Sequence, residues 1–272
     1  MDKAKIDEAI EKAKHRIEAD EGDYFKDGLL YCGKCNTAKE GVYEHLGLVP
    51  QLCDCKAHKR QDNNSKIKNE RIEKIRRQSL QDISLTKWDF SIDKYPDSSV
   101  SKFLRNYVKH WDDMKETGTG CILYGNAGTG KTFYAACVAN ALIDKGVSVC
   151  MTSLIKVLNG TPSQFGGDKN AYYDSFNDYQ LLVLDDFGAE RETEYVFEQV
   201  FYLIDSRYKA GLPMILTTNL TKETMRNEKD INKRRIYDRI NGTCFDLTVK
   251  GKSKREMENQ ERIELAKQLF TE

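Results

Sequence analysis

The chain has 272 residues, which is enough for one full α/β domain and a smaller domain beside it. Its 43 basic and 43 acidic side chains cancel, so no global field attracts nucleic acid and any such site is a local patch. The charged fraction of 32% indicates a soluble protein, and no apolar run approaches the ~20 residues that cross a bilayer. We therefore expect no membrane segment.

The first twenty residues alternate acidic and basic side chains and lack the apolar core of a signal peptide, so we expect a cytoplasmic protein. In that compartment, the eight cysteines favour metal ligation or buried thiols over disulfides. Apolar side chains at helical spacing over residues 2–20 predict an amphipathic helix. This helix either packs on its own small domain or docks onto a partner.

Four cysteines form two close pairs separated by 17 residues: Cys32 with Cys35, then Cys53 with Cys55. This spacing is similar to that of a zinc ribbon, in which four thiolates close a tetrahedron around a structural ion that leaves no open catalytic position. The second pair has only one residue between its cysteines, which leaves His45 or His58 open as a replacement for, or an addition to, one cysteine. Two local disulfides or four unconnected thiols are the competing interpretations.

The composition predicts three parts along the chain. Residues 1–56 contain the terminal helix and a zinc-binding module, and residues 57–82, rich in charge and without proline or glycine, predict a solvated linker helix. Residues 83–272 carry the patterns of a larger domain. At its start, Trp88 and Phe90 are candidates to flank a nucleotide base, while core packing is the better prediction for at least one of them.

A glycine-rich loop follows a short apolar strand pattern at residues 121–124 and precedes a helix pattern. Its residues are Gly125, Asn126, Ala127, Gly128, Thr129, Gly130, Lys131 and Thr132, and Phe133 follows in the helix. In the pattern GxxxxGK[ST], glycines let backbone N–H groups approach phosphate, and the helix directs its positive end at the anion. We expect Lys131 to reach the β- and γ-phosphates and Thr132 to place its hydroxyl on Mg²⁺. An accidental glycine-rich turn is the alternative.

Further strand and helix patterns alternate after this loop. Strands are predicted at residues 147–151, 181–186, 214–219 and 244–249, and helices at residues 103–114 and 194–209. Residues 152–179 form an insertion with two short helices around a Gly/Pro-rich loop. The alternation predicts an α/β fold with a parallel, doubly wound sheet.

Polar residues follow two of the apolar strands. Asp185 is expected to hold Mg²⁺, and Asp186 either acts as the general base for an attacking water or caps the next segment. Both carboxylates serve one site only if the strand already turns into Phe187 and Gly188. Asn219 could contact the γ-phosphate or position the water.

A basic stretch at residues 233–240 places Arg235 and Arg239 on one face of a predicted helix. One of them is a candidate arginine finger supplied to a neighbouring subunit, where it would stabilise the negative charge of phosphoryl transfer. The alternative is an exposed basic helix end.

Four motifs in this order, GNAGTGKT, LLVLDDFGAE, ILTTN and RRIYDRI, resemble the AAA+ domain of DnaC/DnaI-type bacterial or phage replicative helicase loaders. These are close relatives of IstB-type transposase helpers, and the resemblance covers about residues 85–255. It implies an AAA+ P-loop ATPase with Lys131 and Thr132 in Walker A, Asp185 and Asp186 in Walker B, Asn219 as sensor one, and Arg239 as the finger. Many AAA+ enzymes have Glu in place of Asp186, so hydrolysis is expected to be slow. Sensor two is open between Lys254 and Arg255.

The resemblance also implies a function. It implies Mg²⁺-dependent ATP hydrolysis that loads a hexameric replicative helicase onto single-stranded DNA, with ATP-dependent self-association and a zinc module that grips the helicase. The insertion would line the DNA path, with Lys156, Lys169, Tyr172 and Tyr173 as contact candidates. An IstB-type transposase helper acting on duplex DNA, or a zinc-containing nucleotide-binding adaptor with little turnover, are the alternatives.

Overall fold

The computed structural model describes residues 17–43, 45–80, 82–160, 167–189, 193–251 and 253–270. The chain divides into two compact units, residues 1–71 and 72–272. The predicted helix over residues 2–20 lies outside the described residues except at its end, where residues 17–20 form no helix. None of the described helices is both long and apolar enough to span a bilayer.

Two antiparallel hairpins precede a long helix in the first unit. The strands are β1 (Tyr24–Lys26), β2 (Leu29–Tyr31), β3 (Glu40–Tyr43) and β4 (Gly47–Pro50). The first hairpin turns at Asp27 and Gly28, which have φ values of 48° and 81°, the left-handed pair that a two-residue hairpin turn requires. Helix α1 (Asp54–Ser79) forms from the charge-rich stretch and contains the boundary between the two units.

A parallel sheet of five strands forms the centre of the second unit. Its strands are β5 (Gly120–Tyr124), β6 (Val149–Ser153), β7 (Leu181–Phe187), β8 (Met214–Thr218) and β9 (Cys244–Thr248). They lie in the order β6-β7-β8-β5-β9, and all neighbouring pairs are parallel. The carboxyl ends of β5, β7 and β8 therefore meet at one edge of the sheet, as the predicted doubly wound fold requires.

Helices cover both faces of the sheet. The helices after α1 are α2 (Ser99–Lys109), α3 (Trp111–Glu116), α4 (Lys131–Asp144), α5 (Leu154–Leu158), α6 (Lys169–Asp174), α7 (Glu194–Lys209), α8 (Lys222–Arg226), α9 (Ile231–Thr243) and α10 (Lys254–Phe270). Helices α2 and α4 contribute to one apolar core, and α5, α7 and α9 contribute to another. Because strands β5, β7 and β8 alternate residues into both cores, they are almost wholly buried.

The helix predicted at residues 103–114 is divided at His110. Its φ of −101° and ψ of 34° end α2, and α3 begins at the next residue. The break lets Trp111 turn into the core, where it is 4% exposed and its ring lies 6.1 Å from that of Tyr107. The prediction of one continuous helix is therefore wrong, because burial of the tryptophan outweighs helix continuation.

Arg207 on α7 is fully buried, with 0% of its surface exposed. Its Nη1 donates to the carbonyls of Phe176 (2.9 Å) and Tyr179 (2.7 Å), and its Nη2 to those of Gln180 (3.4 Å) and Pro213 (2.7 Å). Burial lowers the pKa of Arg207 to about 10. One guanidinium thus joins the end of the insertion, the segment before β7 and the segment before β8.

Replacing Arg207 with methionine is expected to lower the free energy of unfolding of the second unit by about 3 kcal/mol, because four backbone carbonyls, two of them in buried hydrogen bonds, lose a charged donor. Denaturant unfolding followed by circular dichroism measures this loss. The matched control is Arg234→Met on α9, where the side chain is exposed and the unfolding midpoint should not move. Equal midpoints for the two variants would contradict the role of Arg207.

Candidate functional site

The glycine-rich loop joins the carboxyl end of β5 to the first turn of α4. Gly128 has a φ of 79°, and a Cβ at that position would lie 2.2 Å from Oγ of Ser253. Gly130 is the N-cap of α4 with a φ of 102°, so it turns the chain in a conformation that glycine adopts without strain. The loop N–H groups and the positive end of α4 thus form an anion site, as the motif predicts.

Lys131 lies in the loop and is 5% exposed. Its Nζ donates to the carbonyls of Gly125 (2.8 Å) and Asn126 (2.9 Å) and to Oδ1 of Asn219 (2.7 Å). The last contact joins the first residue of α4 to the residue after β8, and it places sensor-one candidate Asn219 beside the loop lysine. A phosphate that accepts from Nζ would therefore change a contact of Asn219 directly.

Thr132 and Asp185 meet at the predicted magnesium position. Oγ1 of Thr132 donates to Oδ1 (2.9 Å) and Oδ2 (3.1 Å) of Asp185, and Oγ1 of Thr217 donates to Oδ1 at 2.6 Å. Burial raises the pKa of Asp185 above its usual range, and the two threonine hydrogen bonds oppose that rise. A hydroxyl and a carboxylate at this spacing fit the oxygen ligands that Mg²⁺ prefers.

Asp186 has a φ of 55°, which is uncommon for a residue other than glycine. Its N–H donates to Oγ1 of Thr217 at 3.0 Å, and the pairing of β7 with β8 shifts register between Leu184 and Phe187. The strand therefore turns at Asp186 itself, one residue before the expected bend. Because of this turn, Asp186 lines the same cavity as the loop while Asp185 contacts Thr132.

A cavity of about 1390 Å³ opens in front of the loop and is lined by residues 127–134, Asp186 and Asn219. Trp88 also lines it, with its ring 6.0 Å from that of Phe133. Phe90 packs against the core instead, under the guanidinium of Arg105 at 4.7 Å. Both aromatic side chains therefore pack against the core, and Trp88 lines the cavity as well.

Sequence reasoning missed several residues of this site. Thr217 binds both Asp185 and the backbone of Asp186, and its position two residues before Asn219 in the strand was the available signal. Tyr95 and Phe103 line the cavity from the segment before α2 and from α2 itself. The motifs could not have predicted that Tyr95 and Phe103 line the cavity, because only folding brings these residues to the loop. The side chains of Lys254 and Arg255, the sensor-two candidates, lie outside the described part.

Arg239 lies on α9 and is not among the described residues that line the cavity of its own chain. Its Nε donates to Oδ1 of Asp205 at 3.0 Å, and its guanidinium lies 5.2 Å from the ring centre of Tyr208. Arg235 stacks over Phe201 at 4.3 Å. The structure thus brings together the lysine, both aspartates and the asparagine, and places both arginines on a separate surface.

The two tyrosines proposed to stack on DNA bases belong to the core. Tyr173 is 5% exposed, and Tyr172 donates its hydroxyl to the Val157 carbonyl at 3.1 Å while packing edge-on against Phe176. The assignment of Tyr173 as a stacking residue is wrong, because its ring is buried and packs against Tyr202 of α7, with the ring centres 6.0 Å apart. Tyr172 is only partly buried, so its assignment stays a prediction. Lys169 lies over the ring of Tyr195 at 4.8 Å.

The four cysteine sulfurs of the first unit all lie within 4.8 Å of one another. Sγ of Cys55 lies 3.4 Å from that of Cys53 and 3.6 Å from that of Cys32, close to the ~3.8 Å edge of a zinc–thiolate tetrahedron. Hydrogen bonds to neighbouring thiols raise the pKa of Cys55 to about 12, whereas the Thr37 hydroxyl lowers that of Cys35 to about 6. Among the described residues, neither His45 nor His58 belongs to this group, so the donor set fits zinc through four cysteines.

Comparisons with known proteins agree with this site. The replicative helicase loader DnaI of Bacillus subtilis (strain 168) is 23% identical over 279 residues, which cover 94% of this chain and 85% of that protein. The replicative helicase loader DnaC of Escherichia coli (strain K12) is 27% identical over 124 residues. That alignment covers 44% of this chain and about half of DnaC, 49% of its length.

Solved structures support the fold. The crystal structure of DnaI has a TM-score of 0.51 and covers 62% of this chain and 92% of that one. The crystal structure of the DnaC helicase loader has a TM-score of 0.53 and covers 62% of this chain and 100% of that one. Each is 21% identical in sequence, so the likeness establishes the shared fold and confirms the predicted AAA+ sheet.

The family model described as "IstB-like ATP binding protein" matches residues 45–262. The match includes the loop, Asp185, Asp186 and Asn219. Of these, Asp186, Asn219 and the loop from Ala127 onward line one cavity, and Asp185 contacts Thr132 beside it. Because the match spans most of the chain and coincides with a formed nucleotide site, this protein belongs to the IstB-like ATP-binding protein family.

Proposed function

We propose that this chain is an ATP-dependent loader of a hexameric replicative DNA helicase onto single-stranded DNA during replication initiation. The observation that carries the proposal is the extent of the similarity to DnaI, which covers 94% of the chain. An alignment of that length includes both the cysteine cluster and the nucleotide site. A protein that shared only the ATPase unit would not match over both.

ATP binding and hydrolysis follow from the residues at the cavity. The loop N–H groups and Lys131 hold the β- and γ-phosphates, and the Trp88 ring at the cavity wall is available to the base. Thr132 and Asp185 would hold Mg²⁺, and a bound ion there would supply positive charge next to the phosphates. Asp186 takes the proton of the attacking water, and Asn219 couples that site to Lys131.

Turnover depends on a second copy of the chain in this proposal. Arg239 is absent from the lining of its own cavity, so it acts on the nucleotide of a neighbouring subunit. Asp186 is one methylene shorter than the glutamate that many AAA+ enzymes carry, which keeps hydrolysis slow until partners assemble. The nucleotide then controls assembly on DNA.

The cysteine cluster serves the helicase-binding unit. Zinc held by the four cysteines supplies folding energy to a unit whose hairpins have strands of only three or four residues. Exposed Phe25 and Leu46 add apolar surface there, at 59% and 74% exposure. The unit thus combines a metal-held scaffold with a surface suited to a protein partner.

A transposase-helper role is the second candidate, and the family description favours it. Such a protein would prefer duplex over single-stranded DNA and would not capture a helicase. The cysteine unit favours the loader, because a transposase helper has no need of a helicase-docking module. A zinc-containing adaptor would bind nucleotide with little turnover and no response to DNA.

The full-length chain is expected to co-purify with the hexameric replicative helicase of its own genome in ATP, and its ATPase rate should rise with single-stranded DNA. The matched control is duplex DNA of the same sequence, for which a smaller effect is expected. Pull-down and phosphate-release assays measure the two properties. Absence of both helicase capture and stimulation by single-stranded DNA would contradict the loader proposal.

A further inference from the structure

Arg239 is held on the surface of its own chain by a carboxylate from another helix. Its Nε donates to Oδ1 of Asp205 at 3.0 Å, which joins α9 to α7. Its Nη1 also contacts Asp238 at 3.2 Å, and Asp238 keeps 78% of its side chain exposed. An exposed pair of this kind exchanges readily with water, so the contact that fixes the guanidinium is the one with Asp205.

Asp205 is 8% exposed, and each of its carboxylate oxygens pairs with a cationic side chain. While Oδ1 accepts from Arg239, Oδ2 pairs with Nζ of Lys209 at 2.6 Å. Burial opposes the charged carboxylate, yet the two cations hold the pKa of Asp205 below its usual range. The site is therefore a buried anion placed between two helices, with one side directed at Arg239.

This ion pair is not what packs the two helices together. Helix α7 contributes Val200, Leu203 and Ile204 to the apolar core, and α9 contributes Ile236 and Ile240 to the same core. With that contact in place, the packing of α9 on α7 does not depend on Asp205. The pair acts instead on the direction of the Arg239 side chain, which keeps 29% of its surface exposed.

We propose that Asp205 is a positioning residue for phosphoryl transfer, which orients Arg239 toward the nucleotide of a neighbouring copy. The proposal rests on the proposed function, in which Arg239 acts in trans. Because Asp205 takes Nε, a phosphate would take Nη1 and Nη2 in a bidentate contact, in which it replaces the exposed Asp238 as the partner of Nη1. The Tyr208 ring, 5.2 Å from the guanidinium carbon, restricts the side chain further.

The Asp205→Asn substitution tests this role, because it removes the charge and keeps the shape. We expect kcat for ATP to fall about tenfold or more in the assembled protein, with KM and equilibrium ATP binding unchanged, since the cavity of the same chain is intact. Asp205→Glu keeps the charge and should recover a large part of kcat. Lys209→Ala is the matched control, because it removes the other cation of Asp205 without touching Arg239.

Mixed assemblies of two variants distinguish positioning of Arg239 from a purely structural role of Asp205, because a structural defect would not be repaired by a second chain. A mixture of Asp205→Asn with Lys131→Ala should recover turnover, because the second chain supplies an oriented Arg239 to the intact cavity of the first. A mixture of Asp205→Asn with Arg239→Ala should not recover it. Weakened ATP binding by Asp205→Asn without recovery in the first mixture would show that Asp205 acts on the fold, and would overturn the inference.

The single variants separate this inference from the proposed function. If Arg239→Ala abolishes turnover while Asp205→Asn leaves it unchanged, the proposal that Arg239 acts in trans is supported and the positioning role of Asp205 is wrong. If Arg239→Ala leaves the turnover of the assembled protein unchanged, the trans finger is wrong and the positioning role is overturned with it. Helicase capture by the full chain is scored separately and bears only on the loader proposal.

Discussion

Replacing Lys131 with alanine is expected to lower ATP turnover by ~10²-fold or more, which corresponds to roughly 2.7 kcal/mol of lost transition-state stabilisation. The ammonium group is buried in the loop, within hydrogen-bond distance of Gly125, Asn126 and Asn219. Its removal takes away the cation nearest to the phosphate position and also the partner of the Asn219 amide. We therefore expect loss of hydrolysis together with weaker nucleotide binding.

Phosphate release and equilibrium binding of a fluorescent ATP analogue measure these two effects. The matched control is Lys115→Ala on α3, where an exposed lysine of the same unit is removed and turnover should be unchanged. Thermal melting of both variants separates loss of the phosphate contact from loss of the fold, because Nζ of Lys131 also donates to the carbonyls of Gly125 and Asn126. Turnover within threefold of the parent would contradict the assignment of Lys131.

The double substitution Cys32→Ser with Cys53→Ser is expected to remove the bound zinc, from about one equivalent per chain to none, and to unfold the first unit. Structural zinc contributes about 10–16 kcal/mol in small zinc-held domains, which is comparable to the whole stability of a typical domain, about 5–15 kcal/mol. These two thiols are the buried members of the cluster, so water from the solvent cannot take their place as zinc ligands. The second unit should retain ATP binding.

Metal analysis gives the zinc content, and limited proteolysis reports which unit has unfolded. Cys244→Ser is the matched control, because it removes a thiol from the second unit and should leave the zinc bound. Helicase capture by the double variant should be lost while nucleotide binding persists, since the two properties belong to different units. If the double variant retained its zinc, the four-cysteine assignment would be wrong.

Local spacing in the sequence was sufficient to predict those parts of the molecule whose structure depends on residues close together in the chain. The loop from Gly125 to Thr132 follows from its own glycines and from the strand and helix patterns on either side. The four strands predicted in the second unit after the loop appear with bounds shifted by at most two residues at either end. The parallel, doubly wound sheet follows from the βα alternation, whereas the order of its strands was not predicted, and the cysteine cluster follows from two close pairs.

Tertiary structure decided the properties that depend on contacts between distant segments. Tyr172 and Tyr173 lie among polar neighbours in the sequence, yet packing against Tyr202 of α7 buries the ring of Tyr173, and the Val157 carbonyl of α5 accepts from the hydroxyl of Tyr172. The turn at Asp186 depends on Thr217 in another strand, with which its N–H pairs. No periodicity within one segment encodes such a pairing.

The sequence by itself determined that this protein binds a nucleotide on a P-loop and carries four cysteines spaced for a metal. Those features are held within segments of eight to two dozen residues, where chain geometry alone brings the groups together. Only the tertiary structure decided which groups surround the loop and how they are held. Lys131 meets Asn219 across 88 residues and Arg239 meets Asp205 across 34, because burial of the sheet and its helices fixes contacts that spacing leaves open.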